Sequence, residues 1–338
     1  MDLTCIGEIL IDMFPAEVGR KLADVSAFHP KPGGAPANVA VAAARLGLQS
    51  AFVGKVGADA FGTHLIQTLQ DEGVDTRGMR VDPWARTTLA FIAQPDIYHS
   101  EFVFYRNPGA DLRLAAAELD QELLSSTRGL HLGSLSLVEE PARSATKEAV
   151  RLVQPAGGLV SFDVNYRPSL WSSPEEALLH IWEIIPHSNL LKVNEVEVAL
   201  LTGVQADGLD QAALDSGTRL LLAKGPDLVV VTLGKYGSYF AAQDAAGFVP
   251  AFQVDTVDAT GCGDAFVSGL LVRLLQGEGW RSHLNQASLL ADLRYANAVG
   301  ALTSLTQGVI PALPRAEKVQ QFLAQSPATV PTPSGKMN

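Results

Sequence analysis

Two rhythms of apolar and polar residues alternate along this chain, one of short apolar runs and one with helical period. Residues 3–12 carry apolar runs around Gly7 and two acids, Glu8 and Asp12, and predict a first buried strand ending in a carboxylate at Asp12. Gly33-Gly34-Ala35-Pro36 opens the helical pattern ANVAVAAARLG, with Pro36 suited to the first turn and Gly47 as its stop. AFVGKVG at 51–57 reads as a strand, and 59–72 as a helix. From residue 129 come strand LHLGSLSL, a helix from Pro141, strand LVSFDV, a helix from Pro174, strand NLLKV and helix EVEVALLTG. A strand at 228–233 follows, and further helices begin near Gly263 and Ser288.

The alternation breaks at 87–105, where TTLAFIAQ and EFVFYR read as two β-runs joined by a polar turn from Pro95 to Ser100. This predicts a hairpin lying off the main sheet as a lid. Elsewhere the strand-helix rhythm predicts an α/β fold, with a mostly parallel sheet covered by helices and ligands at the carboxyl ends of its strands. The last stretch, SPATVPTPSGKMN at 326–338, lacks apolar periodicity and is expected to be a mobile tail.

Length and composition narrow the classes of function. The 338 residues are 47% hydrophobic and 18% charged, an ordinary globular balance, and suffice for one large α/β domain or two smaller ones. A net charge of −11 with no Lys/Arg-rich run argues against a nucleic-acid partner. An acidic chain still binds a polyphosphate nucleotide where Mg²⁺, backbone N–H groups and helix N-termini supply positive potential. Cys5 and Cys262 are too few for a disulfide framework or a cysteine metal site. The N-terminus lacks a basic leader and no run is long and apolar enough for a bilayer, so a cytoplasmic protein with no membrane partner is expected.

The segment VDATGCGDAFVSGLL, 257–271, carries the most chemistry. Gly261, Cys262 and Gly263 lead into a small-residue helix beginning at Asp264; glycines there let successive N–H groups converge on an anion, and the helix dipole adds to their potential. Asp264 is placed to act as a general base. Taken alone, an Asp in such a place more often caps its own helix. No GxxxxGK[ST] loop, nucleophile elbow or zinc-protease pattern occurs, and no GxGxxG follows the first strand.

The run Asp258-Ala259-Thr260-Gly261-Cys262-Gly263-Asp264 resembles the second consensus motif of the PfkB family, DTTGAGD, and Gly33-Gly34-Ala35-Pro36-Ala37-Asn38 resembles its first; similarity runs from Cys5 to Pro314. Ala259 and Cys262 depart from the usual Thr and Ala without removing a group the chemistry needs. The resemblance implies a ribokinase-like three-layer sandwich over residues 1–325, with a mostly parallel central sheet and a small β-sheet lid at about 13–32 and 87–110. It also implies transfer of the ATP γ-phosphate to a sugar hydroxyl, with Asp264 as base and the N–H groups of Gly261, Cys262, Gly263 and Asp264 as anion hole.

Further positions carry over on the same resemblance. Asn194 and Glu197 match an NxxE motif that places Mg²⁺ through water, where the bland alternative is a solvated first helical turn. Thr232, Gly234 and Gly237 match a turn beside the ATP phosphates and ribose, and Asn297 and Ala301 a region near the adenine. Asp258 and Thr260, with Gly308, match a monovalent-cation site, which leaves activation by K⁺ open. Asp12, Gly33, Gly34 and Asn38 match the sugar-binding face, a carboxylate being well suited to vicinal hydroxyls, and the double glycine can hinge a lid.

Arg106 and Arg167 would reach the sugar or the transferring phosphate. The segments 102–111, 131–137 and 163–171 resemble the fructose-phosphorylating branch, with Val164 in place of the usual Pro, and so imply transfer to the 6-hydroxyl of fructose. A 2-keto-3-deoxygluconate kinase is the alternative, because arginine also pairs with a substrate carboxylate. A non-catalytic sugar or nucleotide sensor on the same fold is the alternative of another class, and would be marked by loss of the base, which is present. Cys262 reads as a small buried side chain in preference to a reactive thiol. An exposed lid sheet leaves homodimerisation open.

Overall fold

The computed structural model describes residues 1–17, 19–93, 101–205, 209–277 and 279–326. Its strands are β1 (Leu3–Ile6), β2 (Leu10–Pro15), β3 (Phe28–Gly33), β4 (Ser50–Gly57), β5 (Asp75–Asp82), β6 (Leu89–Ala93) and β7 (Glu101–Tyr105). They continue as β8 (Gly129–Gly133), β9 (Leu159–Asp163), β10 (Leu190–Asn194), β11 (Leu228–Thr232), β12 (Gly237–Ala242) and β13 (Ala246–Pro250). Nine of them form one sheet in the order β13-β12-β11-β10-β9-β8-β1-β4-β5, parallel from β11 through β5 and antiparallel only across β11-β12-β13.

The apolar strands are buried on both faces because two helix layers cover them. Helices α1 (Ala35–Arg45) and α2 (Ala60–Asp71) lie on one face, while α3 (Gln121–Ser125), α4 (Ala142–Val153), α5 (Pro174–Ile184), α6 (Glu195–Thr202) and α7 (Gln211–Leu222) lie on the other. Helices α8 (Cys262–Leu275), α9 (Gln286–Thr303) and α10 (Ala316–Gln325) complete the first face. Strand alternation sorts the side chains between the layers: Leu228 and Val230 pack with α1, α8 and α9, and Val229 and Val231 with α4 to α7. This is the three-layer α/β sandwich expected from the sequence.

The remaining four strands form a separate sheet, β3-β2-β6-β7. The hairpin of β6 and β7 is therefore half of a larger element, extended through β2. Its turn, residues 95–100, and the expected tail from residue 327 lie outside the described residues. Phe102 and Phe104 face the body, whereas Glu101, Val103 and Tyr105 are exposed, the alternation of a sheet solvated on one side.

The structure corrects several sequence boundaries. Residues 3–12 are not one strand: the chain turns at Gly7 (φ 148°), so β1 joins the large sheet and β2 the small one, with Asp12 inside β2. A Cβ at Gly7 would lie 2.7 Å from Pro36 Cγ, so this crossing needs glycine. The strand at 129 ends at Gly133, and Ser134–Leu137 is a 3₁₀ turn. Helix α8 starts at Cys262, two residues before Asp264. Strands β5, β12 and β13 and helices α7 and α10 are additions to the sequence reading.

Candidate active site

A cavity of about 490 Å³ opens where the small sheet overhangs the carboxyl ends of β9 and β10 and the start of α8. Leu10, Asp12, Phe102 and Phe104 face it from the small sheet, Lys192 and Asn194 from β10, Asn38 from α1, Ala259, Thr260 and Gly261 from the loop before α8, and Gly263 and Asp264 from its first turn. Gly261, at φ 75°, is the residue before the helix, and a Cβ there would lie 2.2 Å from Val309 Cγ1. Only glycine lets this backbone turn against Val309 and start the helix beside the cavity, where the Cys262 N–H donates to the Ala259 carbonyl at 3.3 Å. Asp264 sits in that first turn, and its Oδ2 accepts a hydrogen bond from Asn38 Nδ2 at 2.8 Å.

The loop keeps its shape through Asp258. Its Oδ1 accepts from the Thr260 N–H at 2.9 Å and the Thr260 hydroxyl at 2.7 Å, and its Oδ2 from the Gly308 N–H at 2.9 Å. These charge-assisted bonds tie the loop before α8 to the one after α9. On the opposite wall Gly33 is packed so closely on Asp12 that a Cβ would lie 1.9 Å from its Oδ2.

Burial raises three carboxyls around the cavity, to different levels. Asp264 is pushed up to about 6 by burial, offset by the Asn38 hydrogen bond and by Lys192 and Arg167. Asp12 is pushed to about 8 by burial and then by the charges of Asp264, Glu8 and Asp258. Glu8 is raised to about 7 by burial, against the pull of Arg106. Burial thus raises Asp12 further than Asp264, because the Asn38 hydrogen bond, Lys192 and Arg167 hold Asp264 down.

The model of the pfkB family carbohydrate kinases matches residues 1–316. The chain belongs to that family. Fructokinase-1 of maize is 43% identical over 320 residues, covering 95% of this chain and 97% of its own. The solved structure of Xylella fastidiosa fructokinase with bound ATP is 33% identical and superposes with a TM-score of 0.86, covering 96% of this chain and 98% of that one. A double mutant of Vibrio cholerae fructokinase with fructose, ADP and potassium ion bound is 35% identical, with a TM-score of 0.83 over 96% of this chain and 98% of that one.

In this pfkB kinase the predicted sugar-face residues Asp12, Gly34 and Asn38 line one cavity with Asp264, Gly261 and Gly263. Arg167 lines it too, its guanidinium 5.7 Å from the centre of the Phe102 ring. Arg106 does not. It is 6% exposed, pairs with Asp111, and donates to the Leu135 carbonyl at 3.1 Å, so its fork is spent on holding the lid hairpin to the body. We expect Arg106→Ala to destabilise the fold by about 3–5 kcal/mol by stranding the buried Asp111. Arg167→Ala should stay within about 1 kcal/mol of wild type. Urea unfolding of both variants checks the contrast.

Glu197 does not sit on the solvated turn that was its bland alternative. It is 2% exposed, so its turn is not solvated, and its carboxylate accepts from the Tyr166 and Asn194 N–H groups, each at 2.8 Å. Asn194 Oδ1 in turn accepts from the Glu197 N–H at 2.8 Å, completing a capping box. Asn194 lines the cavity and Glu197 lies beneath it.

The expected nucleotide residues gather beside the cavity without lining it. Gly237 pairs with Pro250, Asn297 Nδ2 donates to the carbonyls of Val249 and Pro250 at 3.1 and 3.2 Å, and Ala301 lies one turn further along α9. Thr232 pairs in register with Asn194, joining this group to the cavity, and Gly234 follows at φ 52°. Burial, with Asp258 and Asp264 nearby, pushes the Cys262 thiol up to about 12, opposite to a reactive thiol.

Lys192, Glu8 and Asn165 line the cavity and were not singled out from the sequence. A signal existed for two of them: Lys192 is the one charge in the apolar run NLLKV, and Glu8 interrupts CIGEIL. A buried charge in a strand is costly unless the site uses it or pairs it. Among the described residues, no helix is long and apolar enough to cross a membrane.

Proposed function

We propose that this pfkB kinase transfers the γ-phosphoryl group of ATP to the 6-hydroxyl of D-fructose, giving fructose 6-phosphate and ADP. The carrying observation is that one cavity is lined by Asp12, against which Gly33 packs, by Gly34, and by Asp264 with the glycine loop of α8. Buried Asn38 Oδ1 and Glu8 Oε2 have no partner among the described residues, and a polyhydroxylated ligand supplies the hydroxyl donors they lack. The maize, Xylella and Vibrio relatives, all named fructokinases, support the choice of sugar.

In the proposed reaction the sugar lies under the small sheet, residues about 13–32 and 87–110, which acts as a lid and excludes water. Asp264 takes the proton of the 6-hydroxyl as that oxygen forms its bond to phosphorus; the bond to the bridging oxygen breaks and its electrons leave with ADP. The Gly261 to Asp264 N–H groups hold the phosphoryl oxygens. Asn38 positions the base.

Magnesium is proposed with the nucleotide: carried mainly by phosphates and water, it would neutralise phosphate charge when bound, with Asn194 at the cavity and Glu197 beneath it to place it through water. For K⁺ the support is the Asp258-pinned loop: with both carboxylate oxygens and the Thr260 hydroxyl engaged, a cation there would rely on backbone carbonyls. The potassium ion named with the Vibrio relative agrees. Two unpaired cysteines suit a reducing compartment such as the cytoplasm.

The sugar-acid reading drew on two arginines, and only Arg167 reaches the cavity. Steady-state ADP release with fructose, 2-keto-3-deoxygluconate, ribose, tagatose and glucose tests the choice. Fructose is expected to give the highest kcat/KM; preference for the keto-deoxy acid would assign Arg167 to a substrate carboxylate and overturn the fructose reading. Because Asp264 must be ionised and burial holds it near 6, kcat should fall tenfold per pH unit as pH drops below about 6. A rate flat to pH 5 would remove Asp264 as the titrating base.

A further inference from the structure

We infer that Lys192 is a further catalytic residue, the cation that meets the phosphoryl group in transit between nucleotide and sugar. The inference rests on the reading of the cavity as a kinase site. Lys192 lies two residues before the end of β10, in register with Asp163, the last residue of β9, so both side chains stand toward the carboxyl ends of adjacent parallel strands. Leu191 and Val193 pack into the α4 to α7 layer, and alternation turns Lys192 to the other face, under the start of α8. A Cβ built on Gly263 would lie 3.4 Å from Lys192 Nζ, which places the ammonium against the anion-hole turn.

Charge balance makes this position consequential. The cavity receiving a polyphosphate is itself lined by Glu8, Asp12 and Asp264, and the cationic side chains lining it are Lys192 and Arg167. Lys192 is 7% exposed, and desolvating an ammonium is expensive. Its ion-pair partner among the described residues is Asp163, Nζ to Oδ1 at 3.1 Å. An ammonium has three donors, so one partner fixes its position and leaves donors for phosphoryl oxygens. The same charge favours the ionised form of Asp264, so Lys192 serves both the acceptor of the proton and the group being transferred.

The test is Lys192→Gln, which keeps a polar chain beside Asp163 and removes the charge, read beside wild type. We expect kcat to fall at least 100-fold with KM for fructose within threefold, and the acid limb of kcat to move to higher pH. Asp264 faces Asn38 on α1, Lys192 on β10, Asp163 on β9, Arg167 after β9 and Asp12 on β2; of these only the Lys192 charge is altered. Lys192→Ala is the second variant, and ethylammonium added to it should restore part of the lost turnover. If either variant turns over within threefold of wild type, or loses activity with the acid limb unmoved and no rescue by ethylammonium, Lys192 is a structural ion-pair partner and the proposal is overturned. Wild type reads the underlying assignment separately, since absence of turnover there would reject the kinase reading itself.

Discussion

Asp264→Asn is expected to lower kcat by about 10²–10⁴-fold, the span of a lost general base, while KM for fructose and for ATP stays within about threefold. Asparagine keeps the volume and can still pair with Asn38 Nδ2 through its amide oxygen, so the contact between α1 and α8 survives. What disappears is the proposed acceptor of the hydroxyl proton. Because Asp264 lies one helical turn from Gly261, its loss need not disturb the anion-binding N–H groups. Single-turnover kinetics beside fructose and nucleotide titrations separate the two effects. Near-normal turnover would take the base role away from Asp264.

Gly261→Ala should have the next largest effect, a fall in kcat of about 10²–10³-fold, comparable with losing oxyanion-hole donors. Two independent costs meet at this residue. A non-glycine residue at φ 75° is strained, and the new Cβ would lie 2.2 Å from Val309 Cγ1. The loop must move, and the first N–H groups of α8 move with it. Val309→Ala combined with Gly261→Ala relieves the contact and leaves the strain, so the double variant should recover part of the activity. Full activity in Gly261→Ala alone would show that the loop does not hold the phosphoryl group.

Reading the sequence worked where local pattern and long-range packing agree. The parallel core was legible because strands such as LVSFDV and NLLKV are mostly apolar, as strands between two helix layers must be. The first strand misled because two short apolar runs separated only by Gly7 and Glu8 read as one, and the turn at Gly7 sends the second into the other sheet. Strand β5, DTRGMRVD, is polar because it lies at the sheet edge, so it carried no apolar run to read.

The site divides in the same way. Asp264, Gly261 and Asp12 were singled out through motif resemblance, since an Asp or Gly at a helix start has commoner uses, and the structure brings all three to one cavity. Arg106 was misplaced because an arginine after a lid strand looks the same in sequence whether it meets a ligand or, as here, Asp111 five residues on. Glu197 was read as a metal-placing group or a solvated turn, and neither reading could see that the Tyr166 N–H, over thirty residues away, occupies its carboxylate. Lys192 was passed over because its partner Asp163 belongs to another strand, and only register brings them together.

The central claim is a statement about a product, and identifying the product tests it most directly. The purified protein incubated with ATP, Mg²⁺ and fructose should yield one phosphorylated sugar whose ³¹P signal couples to the C6 methylene protons, with ADP formed in equal amount. A phosphate on any other fructose carbon, or ADP formed with no sugar phosphate, would contradict the arrangement of Asp12 and Asp264 about the sugar.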